Sequence, residues 1–247
     1  MKRYGLIGHP LKHSLSRHYF NEQFEYEGLM CIYQHFDIKT VDEVHDIIAY
    51  YPDLQGLNVT IPYKESIIPL LDEIDPMAKE VGAVNVVKID HGKLIGYNTD
   101  VHGFSMLLKR AIKGREVNHA LILGTGGASK AVQYVLKQKG IPFSLVSRDA
   151  KKGDFTYDTL TDEILRQNYL IINTTPLGMF PQIENFPDIH YQGLTRKHTL
   201  IDLIYNPKET AFMELGKSWG AKVYGGLQMF EEQARQTWEI FIDDNDQ

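Results

Sequence analysis

The sequence predicts an α/β protein in two parts, each built on an open parallel sheet. Three observations predict it. Up to about residue 100, short apolar runs alternate with longer segments whose apolar residues recur at helical spacing. A long helical stretch from about Val101 to Ile112 then breaks the rhythm, and a second series of strand-like runs begins after it. The 247 residues suffice for two modest domains, each with a core of its own.

In chain order, "YGLIG", "IYQHFDI", "GLNVTI" and "AVNVVKI" read as strands of the first part. Between them "SRHYFNEQFEYEG" and "TVDEVHDIIAYY" read as helices, giving a βαβ rhythm. The second part supplies "ALILG", "FSLVS", "YLIINT", "TLIDLI" and "AKVYGG" as strands. A final helix, about Leu227 to Phe241, is long enough to return to the first part, and the tail "DDNDQ" reads as solvated and frayed. The domains expected are 1–101, joined by the returning segment 227–247, and 102–226.

Composition narrows the function. A hydrophobic fraction of 43% and a charged fraction of 23% describe an ordinary folded chain rather than a disordered one. The formal net charge of -6, with scattered lysines and arginines, lacks the basic stripe that phosphate-backbone binding needs, so no nucleic-acid partner is expected. The densest basic stretch, Lys109, Arg110, Lys113 and Arg115, lies around Gly114, where cations complement a helix C-terminus. Cys31 is the single cysteine, which excludes an internal disulfide and a cysteine-based metal site. The start of the chain is broken by His and Pro before any apolar leader develops, and no later run approaches a membrane span. A cytoplasmic protein with no membrane contact is expected.

Two features point to chemistry. In "NVTIPYK", Asn58 and Thr60 fall on one face of an extended segment while Leu57, Val59 and Ile61 fall on the other, and Pro62 then stops the strand. Similar polar groups end other strands of the first part: Ser14 and Ser16, Asn85, and Asn98 with Thr99 and Asp100. A ligand rich in hydroxyl and carboxylate oxygens needs such partners when it leaves water. Singly, each has a plainer role, a serine as helix N-cap and an asparagine as turn former. The second feature is "ALILGTGGASKAV", which sets Gly124, Gly126 and Gly127 between a strand and a helix. That arrangement brings backbone N–H groups to a pyrophosphate at the positive helix end, or else makes a purely structural turn. In the next strand end, "SRD", Arg148 favours a 2′-phosphate and hence NADP, with Lys151 and Lys152 after it; Asp149 beside it suits a plain ribose and hence NAD.

"GHPLKHSLS", "NVTIPYK", "GAVNVV" with "GYNTD", "LGTGGASKAV", "NTTPLGM", "DLIYNP" with Thr210, and "GGLQMFEEQA" together resemble the shikimate dehydrogenase family, in order and over nearly the whole chain. The resemblance implies an N-terminal α/β substrate domain, a C-terminal Rossmann-type doubly wound parallel sheet, and NADP-dependent interconversion of 3-dehydroshikimate and shikimate. It implies that Ser14 and Ser16 hold the substrate carboxylate with Tyr205 nearby, and that Asn58, Thr60, Asn85 and Gln233 partner the ring hydroxyls. Lys64 and Asp100 match the catalytic pair. Gly124, Gly126, Gly127 and Ala128 would cradle the pyrophosphate, Arg148 would take the 2′-phosphate, and Thr174, Met179, Gly226 and Met229 would border the nicotinamide. No metal is implied, and the protein is expected as a monomer or homodimer. The chain departs from the family pattern at Arg17, at Val101 and in "SRD".

Lys64 is expected to act as base toward shikimate and, protonated, as acid toward the ketone, with Asp100 orienting it; since a carboxylate beside an ammonium favours both charged forms, Asp100 stands as the alternative carrier of the proton. Two other readings stand beside this one. One is a quinate/shikimate dehydrogenase accepting NAD; the other is a regulatory protein that binds a nicotinamide cofactor without turnover.

Overall fold

The computed structural model describes residues 1–12 and 14–242, so the "DDNDQ" tail lies outside the described residues. The described residues fall into two compact units: 1–99 with the chain from 234 on, and 100–233. The boundaries read from the sequence lie at 101/102 and 226/227.

In the first unit, strands β1 (Lys2–Gly8), β2 (Cys31–Asp37), β3 (Leu54–Val59), β4 (Glu73–Ile74), β5 (Val86–Asp90) and β6 (Lys93–Tyr97) form one sheet in the order β2-β1-β3-β5-β6-β4. This sheet is mixed, which corrects the expected parallel one. β1 pairs with β2 and β3 in parallel, whereas β5 is antiparallel to both β3 and β6. β5 turns back into β6 through a two-residue hairpin at His91 and Gly92, both in the left-handed region with φ of 46° and 81°. Two positive φ values match the right-handed strand twist in a hairpin and turn the chain straight back.

Alternation along β3 then sorts its side chains. Leu57 and Val59 join Ile7, Ile67, Val84 and Val87 in the core on one face. The other face packs Tyr4, Leu6, Phe20, Phe24 and Tyr33 with Ala234, Trp238 and Phe241. Helix α1 (Ser16–Tyr26) and the end of the last helix cover that second face. Gly56 has no room for a side chain, because a Cβ there would meet the Phe241 ring at 2.3 Å. The strand ends at Val59, before Pro62, and Ile61 is 52% exposed rather than part of the apolar face. Helix α2 (Glu43–Tyr50) crosses over between β2 and β3, and α3 (Pro76–Val81) is capped by Asp75, which accepts from the Met77 and Ala78 N–H groups.

The second unit opens with α4 (Asp100–Ala111). Strands β7 (Ala120–Leu123), β8 (Phe143–Val146), β9 (Leu170–Asn173), β10 (Thr199–Asp202) and β11 (Lys222–Tyr224) then form a parallel sheet in the order β11-β10-β9-β7-β8. Its central strands β7, β9 and β10 are buried along their whole length, as a helix-covered parallel sheet requires. Helices α5 (Gly127–Gln138), α6 (Asp162–Gln167), α7 (Ala211–Ser218) and α8 (Leu227–Ile242) complete the chain. Arg115 does not serve the end of α4; its guanidinium donates to the carbonyls of Arg196, Lys197 and His198. Among the described residues, no helix is long and apolar enough to cross a membrane.

Candidate active site

In the second unit the strand order reverses between β7 and β9, so the C-terminal ends of these neighbours open a crevice of the kind that binds ligands in open α/β sheets. Gly124 ends β7 with φ of 105°, and a Cβ there would lie 2.8 Å from the Thr174 hydroxyl oxygen. Glycine is therefore required both by its backbone and by the close approach of the two strand ends. Thr174 is held in turn by its N–H and hydroxyl, which donate to the Leu123 carbonyl at 2.9 and 2.7 Å. Gly126 is the N-cap of the twelve-residue α5 and supplies no side chain to cap it, no acidic residue lies in the first turn, and a Cβ on Gly126 would meet open space. Gly127 and Ala128 form the first turn. The amides of this turn and the positive helix end suit an anion such as a pyrophosphate, so the donor set fits a dinucleotide.

Arg148 is exposed in the loop after β8. Asp149 beside it is engaged locally: its carboxylate accepts the Lys151 N–H at 3.0 Å, and its own N–H donates to the Ser147 hydroxyl at 3.1 Å. This carboxylate shapes the turn that carries Arg148, Lys151 and Lys152.

Past β9 and β10 the chain is tied together by Asp202, which is fully buried. Its carboxylate accepts from the Thr210 hydroxyl at 2.6 Å, the Ile204 N–H at 3.1 Å and the Asn173 amide at 3.1 Å. Burial pushes the Asp202 carboxyl up to about 6, against the pull of these three donors. Asn173 passes the connection on, accepting from the Thr175 N–H at 3.0 Å and hydroxyl at 2.6 Å. Met179 is exposed in the following segment. Gly226 donates its N–H to the Ile204 carbonyl, and a Cβ there would lie 2.1 Å from the Leu203 carbonyl oxygen, so only glycine fits. On α8, Met229 is buried, Phe230 lies 4.6 Å from the Tyr205 ring, and the Gln233 amide donates to the Phe230 carbonyl. Gly103 on α4 admits this helix, since a Cβ there would be 2.5 Å from the Met229 carbonyl oxygen. Asp100, 5% exposed, sits in the first turn of α4, where the helix dipole favours a carboxylate.

In the first unit the strand-end groups form a buried chain of polar contacts. Asn58 accepts the Tyr33 hydroxyl at 2.7 Å and donates to the Asn85 carbonyl and the Thr237 hydroxyl, each at 3.4 Å. Asn85 donates to the Thr99 hydroxyl at 2.9 Å and accepts the Thr99 N–H at 2.7 Å. Thr99 and Thr237 meet at 3.1 Å between hydroxyls. Tyr33, Thr99 and Thr237 thus belong to the site's support. Thr99 was singled out in the sequence, whereas Tyr33 and Thr237 carried no local signal.

Ser14 and Ser16 share a hydrogen bond of 3.2 Å between hydroxyls, and Ser14 also accepts the Ser16 N–H; Leu15 occupies the N-cap of α1 instead. The stretch leading to them is anchored by Asp37, whose carboxylate accepts the Leu11 N–H at 3.0 Å and meets His9 at 2.6 Å. These bonds hold the Asp37 carboxyl below its usual range. Thr60 and Lys64 follow β3 and are half-buried, with the Lys64 carbonyl accepting the Val84 N–H at 2.7 Å. Among the described residues, no group of three or more His, Cys, Asp or Glu side chains is placed to hold a metal ion.

An α/β chain with a polar cluster at the strand ends of one unit and an uncapped glycine turn on a parallel sheet in the other has the build of a nicotinamide-dependent oxidoreductase. Comparison with known proteins makes the class specific. The family model for the shikimate dehydrogenase substrate binding domain matches residues 6–87. A shikimate dehydrogenase (NADP(+)) from Methanococcus aeolicus is 37% identical over 256 residues, covering 97% of this chain and 91% of the relative. The solved shikimate 5-dehydrogenase of Thermus thermophilus in complex with NADP(H) and shikimate superposes with a TM-score of 0.85 at 29% identity, covering 98% of this chain and 94% of that one. The quinate dehydrogenase of Corynebacterium glutamicum in complex with NAD superposes with a TM-score of 0.86 at 25% identity, covering 98% and 93%. The chain belongs to the shikimate dehydrogenase family.

Proposed function

We propose that this protein catalyses the reversible, NADP-dependent reduction of 3-dehydroshikimate to shikimate, the step that serves aromatic amino acid biosynthesis. The observation that carries the reading is the full-length similarity, a single match running through both units, so that the polar strand ends and the glycine turn come as a set. In this reading residues 1–101 with 227–247 form mainly the substrate domain and residues 102–226 mainly the cofactor domain.

NADP, when bound, supplies the hydride donor or acceptor, leaving the protein to bind, orient and move one proton. Gly124, Gly126, Gly127 and Ala128 would hold the pyrophosphate, Arg148 the 2′-phosphate, and Thr174, Met179, Gly226 and Met229 the nicotinamide. Ser14, Ser16 and Tyr205 bind the substrate carboxylate; Asn58, Thr60, Asn85 and Gln233 bind its hydroxyls. Asn58 and Asn85 are pre-aligned for this by their buried contacts with Tyr33, Thr99 and Thr237. Orientation fixed before binding lowers the entropy cost of reaching the reactive geometry. Lys64, protonated, gives its proton to the oxygen of the ketone as the C–H bond forms; in the other direction, neutral, it takes the proton of the alcohol. Asp100 hydrogen-bonds the same oxygen and orients the ammonium. We place the protein in the cytoplasm as a monomer or homodimer, acting on a small molecule with no nucleic acid involved.

The test is the initial rate of cofactor reduction with shikimate and quinate, each against NADP and NAD. The proposal expects turnover with shikimate and NADP, abolished in Lys64→Ala with substrate affinity kept. Faster turnover with quinate and NAD would assign the NAD-accepting alternative instead, and a folded protein silent in all four would leave the regulatory one.

A further inference from the structure

We propose that Asp202 is a positioning residue for turnover: its carboxylate locks the segments after β9 and β10 and the start of α7 into one frame that presents the nicotinamide-side residues. This rests on the reading above, in which Thr174, Met179, Tyr205 and Gly226 border cofactor and substrate. The hydrogen bonds of Asp202 go to Asn173, Ile204 and Thr210, none of them named for binding or proton transfer. The argument is geometric. Asp202 ends β10, and its two oxygens reach three separate pieces of chain: Asn173 at the end of β9, Ile204 in the segment just beyond it, and Thr210 at the N-cap of α7. Each piece holds something further. Asn173 fixes Thr175, next to Thr174. The Ile204 carbonyl receives the N–H of Gly226, and Tyr205 follows it. Thr210 accepts the Met213 N–H, and Gly178 lies beside it, where a Cβ would stand in ordinary contact 3.4 Å from the Thr210 Cβ. The Phe180 N–H donates to the Asn206 carbonyl, closing the two segments on each other beside Met179.

A neutral side chain could fill the same space in an apolar core, and an unshared buried carboxylate is a costly choice for stability alone. An ionised carboxylate offers something that a neutral side chain does not, acceptor capacity on both oxygens with no donor of its own. All three of its partners here are donors.

The experiment compares Asp202→Asn, Thr210→Val and Thr210→Ser with the wild-type chain. The expected result for Asp202→Asn and Thr210→Val is a fall in kcat of about 10- to 100-fold, as small displacements of reacting groups give. KM for shikimate and the Kd of NADPH from fluorescence titration should stay within about threefold, since the pyrophosphate and 2′-phosphate contacts lie elsewhere. Thr210→Ser, which keeps the hydroxyl, should restore most of the rate. A readout independent of activity is amide hydrogen exchange in the ligand-free protein. Exchange at Thr175, Ile204 and Met213 should speed up in the two disruptive variants, while Leu121 and Ile122 in β7 stay as protected as in the wild type.

Unchanged kcat in folded Asp202→Asn and Thr210→Val overturns the proposal, and so does faster exchange spread through β7, which would mark a merely structural role. Should Asp202→Asn not fold, the Thr210 pair decides alone. A wild-type protein that never oxidises shikimate would refute the functional reading, while the exchange pattern still tests the frame.

Discussion

Asp202 also makes a stability prediction of opposite sign to its effect on rate. Burial raises its carboxyl from 3.8 to about 6. Between those values the folded protein holds a proton that the unfolded chain has released, so stability falls as pH rises. The contribution is fully present only well below the unfolded value of 3.8 and is lost by about pH 7. At about 1.4 kcal/mol for each tenfold change in proton affinity, the loss is about 3 kcal/mol. Asp202→Asn has no proton to release at this site, and its stability has no such slope. The difference between variant and wild type should therefore move by about 2 kcal/mol in the variant's favour from pH 4 to pH 7, whatever constant offset the amide introduces. Urea unfolding followed by circular dichroism at four pH values measures it, with the transition of residues 100–233 treated on its own. His198, whose ring burial holds below its ordinary value, titrates in both proteins and cancels in the difference. Parallel stability curves, or a difference that moves in the wild type's favour as pH rises, would refute the reasoning. A difference that moves toward the variant with rising pH while its turnover is slower is what a carboxylate kept for positioning predicts.

Tyr33→Phe removes the donor that reaches Asn58 at 2.7 Å inside the first unit. It should cost about 1 to 2 kcal/mol in unfolding and raise KM for shikimate more than it lowers kcat. Gly226→Ala would put a methyl 2.1 Å from a backbone oxygen, and no flexible side chain is there to yield. It should lower stability by about 1 to 3 kcal/mol and reduce activity together, read by thermal unfolding and initial rates. Arg148→Ala should raise KM for NADP about 10-fold or more and leave KM for NAD nearly unchanged, because only the 2′-phosphate loses a partner. Asp149→Ala tests the neighbouring turn: losing the acceptor for the Lys151 N–H should weaken NADP binding, whereas a ribose ligand would lose NAD instead.

Much of the fold was legible because its signals are local. The glycine turn between β7 and α5 could be read from a four-residue apolar strand, a cluster of glycines and a helix pattern, all within one stretch of chain. The mixed first sheet was not read, although its signal was present. "DHGK" places two left-handed residues between two β-runs, but with "AVNVVKI" read as a strand and "GYNTD" as a strand end, alternation alone does not join them as the arms of a hairpin. Similarly, Ile61 alternates correctly with Val59, yet the strand ends first and leaves it exposed.

By itself the sequence determined the periodicities, and with them which residues face a core, where turns must lie, and which polar groups are out of place on a strand. It also carried the motifs that place the chain in its family. Partner choice was decided only by tertiary structure. Asn58 meets Thr237 across 179 positions, and Asp202 meets Asn173 and Thr210 through strand order rather than spacing. The physical reason is that a buried polar group must be satisfied by whatever the fold brings within about 3 Å. Periodicity fixes the face on which a side chain stands, and packing alone fixes what stands opposite.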